Sequence, residues 1–248
     1  MRYAIGVPHT RLFEGPVVDS LLTLQKPQDG FEWIRVPDLP VDEARNEIVK
    51  RFLAKEDLQY LLMMDSDMVA HPASLARLAQ RLGQPGVDMV GALCFTRYRP
   101  PVPSLFAGVS RKQWRLQKEW PFLYRRDWLW VQIEETYNWL HMHPEAQAKD
   151  PIVLDPAPED SMVIAHATGG AFCLFKRECF ATISPPWFKR DDLKKGEDFH
   201  YFQRARRAGL KLWIDRSVIV HHMWGDQALG PLDFLAYQEQ RGLRHVST

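Results

Sequence analysis

A chain of 248 residues, 46% hydrophobic and 25% charged, has the size and balance of one large folded domain with a substantial buried core. Its net charge of +1 excludes a global pull toward nucleic acid or an anionic membrane, so any such role would need a local patch. Cys94, Cys173 and Cys179 lack metal-binding spacing, the stretch MRYAIGVPHTRLF lacks the long apolar core of a secretion signal, and no run of about 18 apolar residues occurs, so a cytoplasmic protein with buried thiols is expected.

The first half alternates regularly. Residues 3–7 read as a strand stopped by Pro8-His9-Thr10-Arg11, residues 17–24 as a helix and residues 31–36 as a second strand. Residues 41–52 have helical spacing, with Asp42 and Glu43 at the start and Ala44, Ile48, Val49 and Phe52 on one face. A strand over 60–64, a helix over 72–82 and a strand over 87–93 follow, the last running into Cys94-Phe95-Thr96-Arg97. This alternation predicts an α/β fold with helices on both faces of a parallel sheet.

Residues 111–158 differ in kind. Trp114, Trp120, Trp128, Trp130 and Trp139 are interleaved with Arg111, Lys112, Arg115, Lys118, Arg125 and Arg126. An inserted lid or acceptor-binding segment is expected here, with an amphipathic helix over 130–142 presenting Ile133, Tyr137 and Leu140. Basic residues among aromatics also suit an anionic polymer. From Met162 the α/β pattern returns: strand-like runs over 164–168 and 171–175 hinge at Gly169-Gly170, a pair suited to close backbone approach. A short helix over 176–182 leads to Pro185-Pro186-Trp187-Phe188. Gly196-Glu197-Asp198 then opens a helix over 198–208, with Phe199 and Phe202 facing inward. Strands over 210–214 and 217–220 follow, the second ending in His221-His222, and the tail from Gly230 reads as a helix and a loose end.

The chemistry concentrates at Asp65-Ser66-Asp67, which ends the apolar strand over 60–64. Carboxylates at i and i+2 on extended backbone point the same way and can share a hard divalent cation with phosphate oxygens. In open α/β sheets, ligands bind beyond the carboxyl ends of the strands.

Several segments then fall in a telling order: Ala44-Arg45-Asn46, the apolar strand into DSD, VGALCFTRYRPP, ATGGAFCLFKREC, PPWF, GEDFHYFQRARRAGLKLWID and the closing histidine pair. On these the chain resembles the metal-dependent glycosyltransferases of GT-A fold, particularly the inverting family-two-like enzymes, over residues 2–106 and 162–224. The resemblance implies a mixed, mostly parallel Rossmann-like sheet flanked by helices, in a single domain of residues 1–248 that carries the insertion 111–158. It implies Mn2+ or Mg2+ held by Asp65, Asp67 and His222; His222 is preferred to His221 for its spacing from Asp215. The donor, a UDP- or GDP-sugar, would meet Pro8, Thr10, Arg11, Arg45, Asp65, Arg97, Gly169 and Gly170. Asp198 would be the general base, Glu197 would orient the acceptor, and Trp187 would form a platform beneath a sugar ring. The acceptor would be a glycan, a lipid-linked sugar, a protein or modified DNA. In an enzyme that retains configuration, Asp198 would not be the base.

Two other readings compete. DSDMV also fits the nucleophile motif of haloacid-dehalogenase-type phosphohydrolases, with Asp65 attacking phosphorus. Against it, two strand–helix units precede the motif, and Phe202 stands where a further acid is expected. The third reading is a transferase-like, non-catalytic binder of glycan or nucleic acid.

Overall fold

The computed structural model describes residues 2–9, 13–27, 30–97, 101–107, 130–131, 133–190 and 196–240. The chain begins with strand β1 (Arg2–His9), helix α1 (Gly15–Thr23), strand β2 (Phe31–Pro37), helix α2 (Val41–Leu53) and strand β3 (Leu58–Met64). A two-residue strand β4 (Met68–Val69), helix α3 (Ser74–Leu82) and strand β5 (Met89–Cys94) follow. Short elements come next: β6 (Leu105–Ala107), β7 (Trp130–Val131), helix α4 (Ile133–Met142) and β8 (Ile152–Val153). Strands β9 (Met162–Ala165), β10 (Ala167–Thr168) and β11 (Phe172–Lys176) lead to a single-turn helix α5 (Glu178–Ala181). Helix α6 (Glu197–Arg207), the long strand β12 (Leu212–Trp224), strand β13 (Gln227–Leu229) and helix α7 (Pro231–Gln240) follow.

The main sheet runs in the order β13-β12-β5-β11-β3-β1-β2. Strands β1, β2, β3, β5 and the first half of β12 point the same way, and β11 runs against its neighbours β3 and β5. The sheet is therefore mixed and mostly parallel, as the resemblance implies; the alternation alone predicts a parallel sheet, and the reversed strand β11 departs from it. Side chains alternate across it: Leu61 and Met63 of β3 enter one core, Leu62 and Met64 the other. This is why the run into DSD is apolar at every position. On one face Ile48 and Phe52 of α2 and Tyr201, Phe202 and Ala205 of α6 are buried; on the other, Val17 of α1 and Leu75, Leu78 and Leu82 of α3 are buried. Cys94, Cys173 and Cys179 are buried free thiols, as the sequence suggests. Among the described residues, no helix is long and apolar enough to cross a membrane.

Several boundaries differ from expectation for identifiable reasons. The last two predicted strands form one strand, β12, with a shift in its pairing to β5 between Asp215 and Ile219. At that irregularity Asp215 is wholly buried; it accepts hydrogen bonds from the Ser217 amide at 2.9 Å and hydroxyl at 2.6 Å, and from Arg81 Nε at 2.7 Å. A polar break in the sequence is thus absorbed as a local irregularity instead of ending the strand. The helix expected over 130–142 begins only at Ile133, after the short strand β7. In α6 the fully buried aromatics are Tyr201 and Phe202, whereas Phe199 is only partly buried, packed on Phe106 with ring centroids 4.8 Å apart. Of the expected insertion, residues 111–129, with Trp114, Trp120 and Trp128, lie outside the described residues. Its later part is tied to the sheet: β8 pairs with β12, and Trp139 lies under the Arg216 guanidinium at 5.1 Å while donating to Asp160 at 3.2 Å.

Helix α2 carries site residues, and its C-terminus is held by a single side chain. Arg177 donates to the carbonyls of Phe52 and Leu53 at the end of α2 and of Lys55 and Leu58 in the turn and strand that follow, at 2.6 to 3.3 Å, tying the helix end to the start of β3. Arg177→Met keeps the stem and removes these donors, so it should lower stability by about 1–3 kcal/mol. Urea unfolding of the two proteins measures the difference; an unchanged midpoint would refute this role.

Candidate active site

The site lies at the carboxyl ends of β1, β3 and β5, where the sheet meets the start of α6. Asp65 follows β3, and its amide donates to the Ala171 carbonyl at 2.9 Å. Asp67 stands just before β4, and its carbonyl accepts from the Met223 amide at 2.8 Å. Strand β4 pairs with the far end of β12, setting His222 opposite Met68 and His221 opposite Val69. Backbone pairing therefore brings a strand tip and a residue some 150 positions later to one point.

The two histidines part as alternation requires. His222 Nε2 lies 3.1 Å from Asp67 Oδ2, while its Nδ1 lies 3.0 Å from the Phe95 carbonyl oxygen. His221 points away from the acids and packs on Gly230, where an added Cβ would lie 2.6 Å from the ring Cε1. Burial pushes His221 down to about 4. A carbonyl can only accept, so Nδ1 of His222 carries a hydrogen. Nε2 then faces a carboxylate oxygen, and only a positive charge between them, a proton or a metal ion, makes that approach favourable. Burial opposes protonation of His222, but the hydrogen bond and charge of Asp67 outweigh it and raise its pKa. Burial would raise Asp67; the hydrogen bond and charge of His222, with Arg97, outweigh that and lower it. An imidazole nitrogen and a carboxylate oxygen at this spacing fit a divalent cation, with the ring oriented through its other nitrogen. Among the described residues no group of three His, Cys, Asp or Glu side chains could cage a metal, so phosphate oxygens and water would supply the remaining positions.

Asp65 is engaged differently. Arg45 of α2 donates through Nη2 to both Asp65 oxygens, at 2.7 and 3.0 Å, and its Nη1 lies 3.2 Å from Glu197 Oε1. Arg45 is only 2% exposed. Its Nη1 makes an ion pair without hydrogen-bond alignment, and Nε has no partner, so Coulomb attraction carries that half of the contact. The guanidinium packs against the Phe188 ring at 5.7 Å. Burial raises the Asp65 pKa, opposed chiefly by Arg45. The next residue, Asn46, accepts from the amides of Trp187 and Phe188 and donates to the Phe188 carbonyl, so Ala44-Arg45-Asn46 braces the Pro185-Pro186-Trp187-Phe188 loop.

Glu197 and Asp198 are buried in the first turn of α6. The Phe199 amide donates to Asp198 Oδ1 at 2.7 Å. Burial pushes Asp198 up to about 7, opposed by Arg45 and assisted by Glu197. Gly169 and Gly170 pass directly over this carboxyl. A Cβ on Gly169 would lie 2.6 Å from Ser104 Oγ and 3.9 Å from Asp198 Oδ2; one on Gly170, where φ is +63°, would lie 2.7 Å from Arg45 Nη1. Both positions thus need glycine, one for space and one also for its backbone angle. Ser104 accepts from the Gly169 amide at 2.7 Å and fixes the pair from below. Nothing in the sequence around Ser104 signals this.

The structure thus gathers Asp65, Asp67, Arg45, Arg97, Gly169, Gly170, Glu197, Asp198 and His222 in one connected cluster. Arg97 Nη1 reaches Asp67 Oδ2 at 3.2 Å. Pro8 is buried near the end of β1, beside Val36 of β2. Thr10 and Arg11 lie outside the described residues. Trp187 is turned inward: it is 9% exposed, its indole donates to the Phe180 carbonyl at 2.9 Å, and its ring meets Phe180 edge-on. Little of its face is left for a sugar.

Residues 42–244 match the family described as Glycosyltransferase like family 2. No curated protein matches the sequence. Among solved structures, A197 from STIV superposes with a TM-score of 0.58 at 18% identity, covering 93% of this chain and 91% of that one. GalNAc-T7, solved with UDP, GalNAc and Mn2+, superposes with a TM-score of 0.50 at 11% identity, covering 96% of this chain and 47% of that one. At these identities the likeness establishes a shared GT-A architecture.

Two outcomes follow from the charge cluster. Arg45→Met would leave buried carboxylates without their counter-ion and should cost about 3–5 kcal/mol, read by chemical denaturation. The second concerns pH. An acid with a raised folded pKa contributes stability that is full below its unfolded value, near 3.8, and lost as pH rises through about 7. Asp198→Asn lacks this dependence, so its stability relative to the parent should climb between pH 4 and pH 8. Parallel unfolding curves across that range would contradict the assignment.

Proposed function

The chain belongs to glycosyltransferase-like family 2, and from that premise we propose that it moves a sugar from a nucleotide-sugar donor to an acceptor hydroxyl with inversion of configuration. The observation that carries this reading is the presence of two unlike acidic sites joined through the Arg45–Asp65 pair. Asp67 with His222 forms a pocket for positive charge, and Asp198 is a buried carboxyl able to take up a proton near neutrality. A glycosyl transfer needs both: charge compensation for a departing diphosphate and a base for the incoming hydroxyl.

Asp67 and His222 would hold Mn2+ or Mg2+, with Asp65 adjacent; when bound, such an ion acts as a Lewis acid toward the leaving diphosphate. The donor, a UDP- or GDP-sugar, would lie from Pro8, Thr10 and Arg11 across the strand tips, its sugar against the backbone of Gly169-Gly170. Asp198 would accept the hydroxyl proton, and Glu197, fixed by Arg45, would orient the acceptor. The residues 111–158 would form the segment that selects the acceptor. Engagement of Asp65 by Arg45 speaks against its acting as a phosphatase nucleophile, as does the family match.

UDP-, GDP-, CMP- and dTDP-sugars are to be screened for Mn2+-dependent thermal stabilisation, since specific binding to the folded state raises apparent stability. Asp67→Ala should abolish the metal-dependent shift. Asp198→Ala should keep the shift and lower turnover by about 10²–10⁴-fold. Loss of donor binding in Asp198→Ala with an unchanged rate would reverse the roles.

A further inference from the structure

The two aspartates of Asp65-Ser66-Asp67 each face an arginine, and the two arginines differ in kind. Arg45 is 2% exposed and fixed between Asp65 and Glu197. Arg97 stands on the loop after β5 with its side chain 58% exposed, and its contact with Asp67 is a single one, Nη1 to Oδ2 at 3.2 Å. That same oxygen faces His222 Nε2. One arginine is built in; the other is more than half exposed and, among the described residues, is held at one oxygen.

We propose that Arg97 is the displaceable counter-cation of the metal site: it holds the Asp67 carboxylate in the empty protein and moves to the diphosphate when a divalent cation arrives with one. This rests on the assignment of the metal to Asp67 and His222. The oxygen that Arg97 occupies is one a metal ion would need, and a guanidinium and a divalent cation a few ångströms apart repel strongly. Entry of a bare cation therefore breaks the Arg97–Asp67 pair and leaves Arg97 beside a like charge. Entry of the cation together with a diphosphate brings the anion that Arg97 can meet with several N–H groups at once. The site thereby favours the metal–diphosphate pair over the free ion, with no third ligand needed from the described residues.

The probes are Mn2+ alone and Mn2+ with inorganic pyrophosphate, with uptake by the full chain measured by equilibrium dialysis at matched free Mn2+ and low ionic strength. Arg97→Ala should bind Mn2+ alone about two- to fivefold more tightly than the parent, the range expected for releasing an exposed ion pair. Its gain in Mn2+ binding on adding pyrophosphate should be smaller than the parent's. Arg97→Lys, which keeps the charge, should stay close to the parent with Mn2+ alone. Arg97→Ala binding Mn2+ alone no more tightly than the parent overturns the proposal, as does an undiminished pyrophosphate gain. Asp67→Asn separates this from the wider reading. If Asp67→Asn loses Mn2+ while Arg97→Ala behaves like the parent, only the role of Arg97 falls; if Asp67→Asn binds Mn2+ as the parent does, the metal assignment falls with it.

Discussion

The contact on which the rest of this site depends is the buried guanidinium of Arg45. It joins the tip of β3, through Asp65, to the start of α6, through Glu197, and these elements lie some 130 residues apart in the chain. A guanidinium is suited to this because it stays charged when desolvated and presents donors in a rigid plane. Burial disfavours the ion, but Asp65, Glu197 and Asp198 together more than offset that and hold its pKa up. Lysine could not bridge both acids with one planar group. Gly170 and Phe188 close over the guanidinium, so it packs between the glycine pair held by Ser104 and the Pro185-Pro186-Trp187-Phe188 loop held by Asn46.

The sheet explains why the remaining parts meet. Strand β12 continues past β5 and pairs with β4 and β13, which carries the C-terminal histidine to the aspartate tip through ordinary backbone hydrogen bonds. Because neighbouring side chains alternate, His222 faces Asp67 and His221 turns into the packing around Gly230. Strand β11, reversed between β3 and β5, performs the matching service for the glycines: it delivers Gly169-Gly170 to the same end of the sheet where β3 delivers Asp65.

Much of this was legible in the sequence because it is written in local patterns. The apolar run before Asp65 reads as a strand, which β3 is, and Gly-Glu-Asp before a helical pattern marks the start of α6 within a residue. What local pattern could not carry was side-chain partnership across distance. Arg45 reads from sequence as a cation near the donor, whereas the structure encloses it beneath the site. Trp187 reads as an aromatic beside a sugar, whereas its indole is spent on Phe180. Ser104 sits among prolines with no signal, because its role arises only where β10 returns to β6. The break at Asp215-Arg216-Ser217 looked like a strand end, since the sequence does not reveal that Arg81 and Ser217 satisfy the buried carboxylate.

One electrostatic arrangement follows that neither motif carries alone. Asp65, Glu197 and Asp198 share the buried charge of Arg45, with the exposed Arg190 lying 4.0 Å from Glu197 Oε2, and burial still raises Asp65 and Asp198. Asp67, backed by His222 and Arg97, is held in its charged form. The cluster is thereby divided into a side that binds positive charge and a side that can accept a proton. Arg45 lies between them, and its position sets how far the division goes. A stronger or nearer cation at that point would drop the Asp198 pKa and weaken it as a proton acceptor; no cation would leave a neutral acid with nothing to accept. The glycines matter for the same reason, since any side chain at residue 170 would move the guanidinium and with it the balance between the two sides.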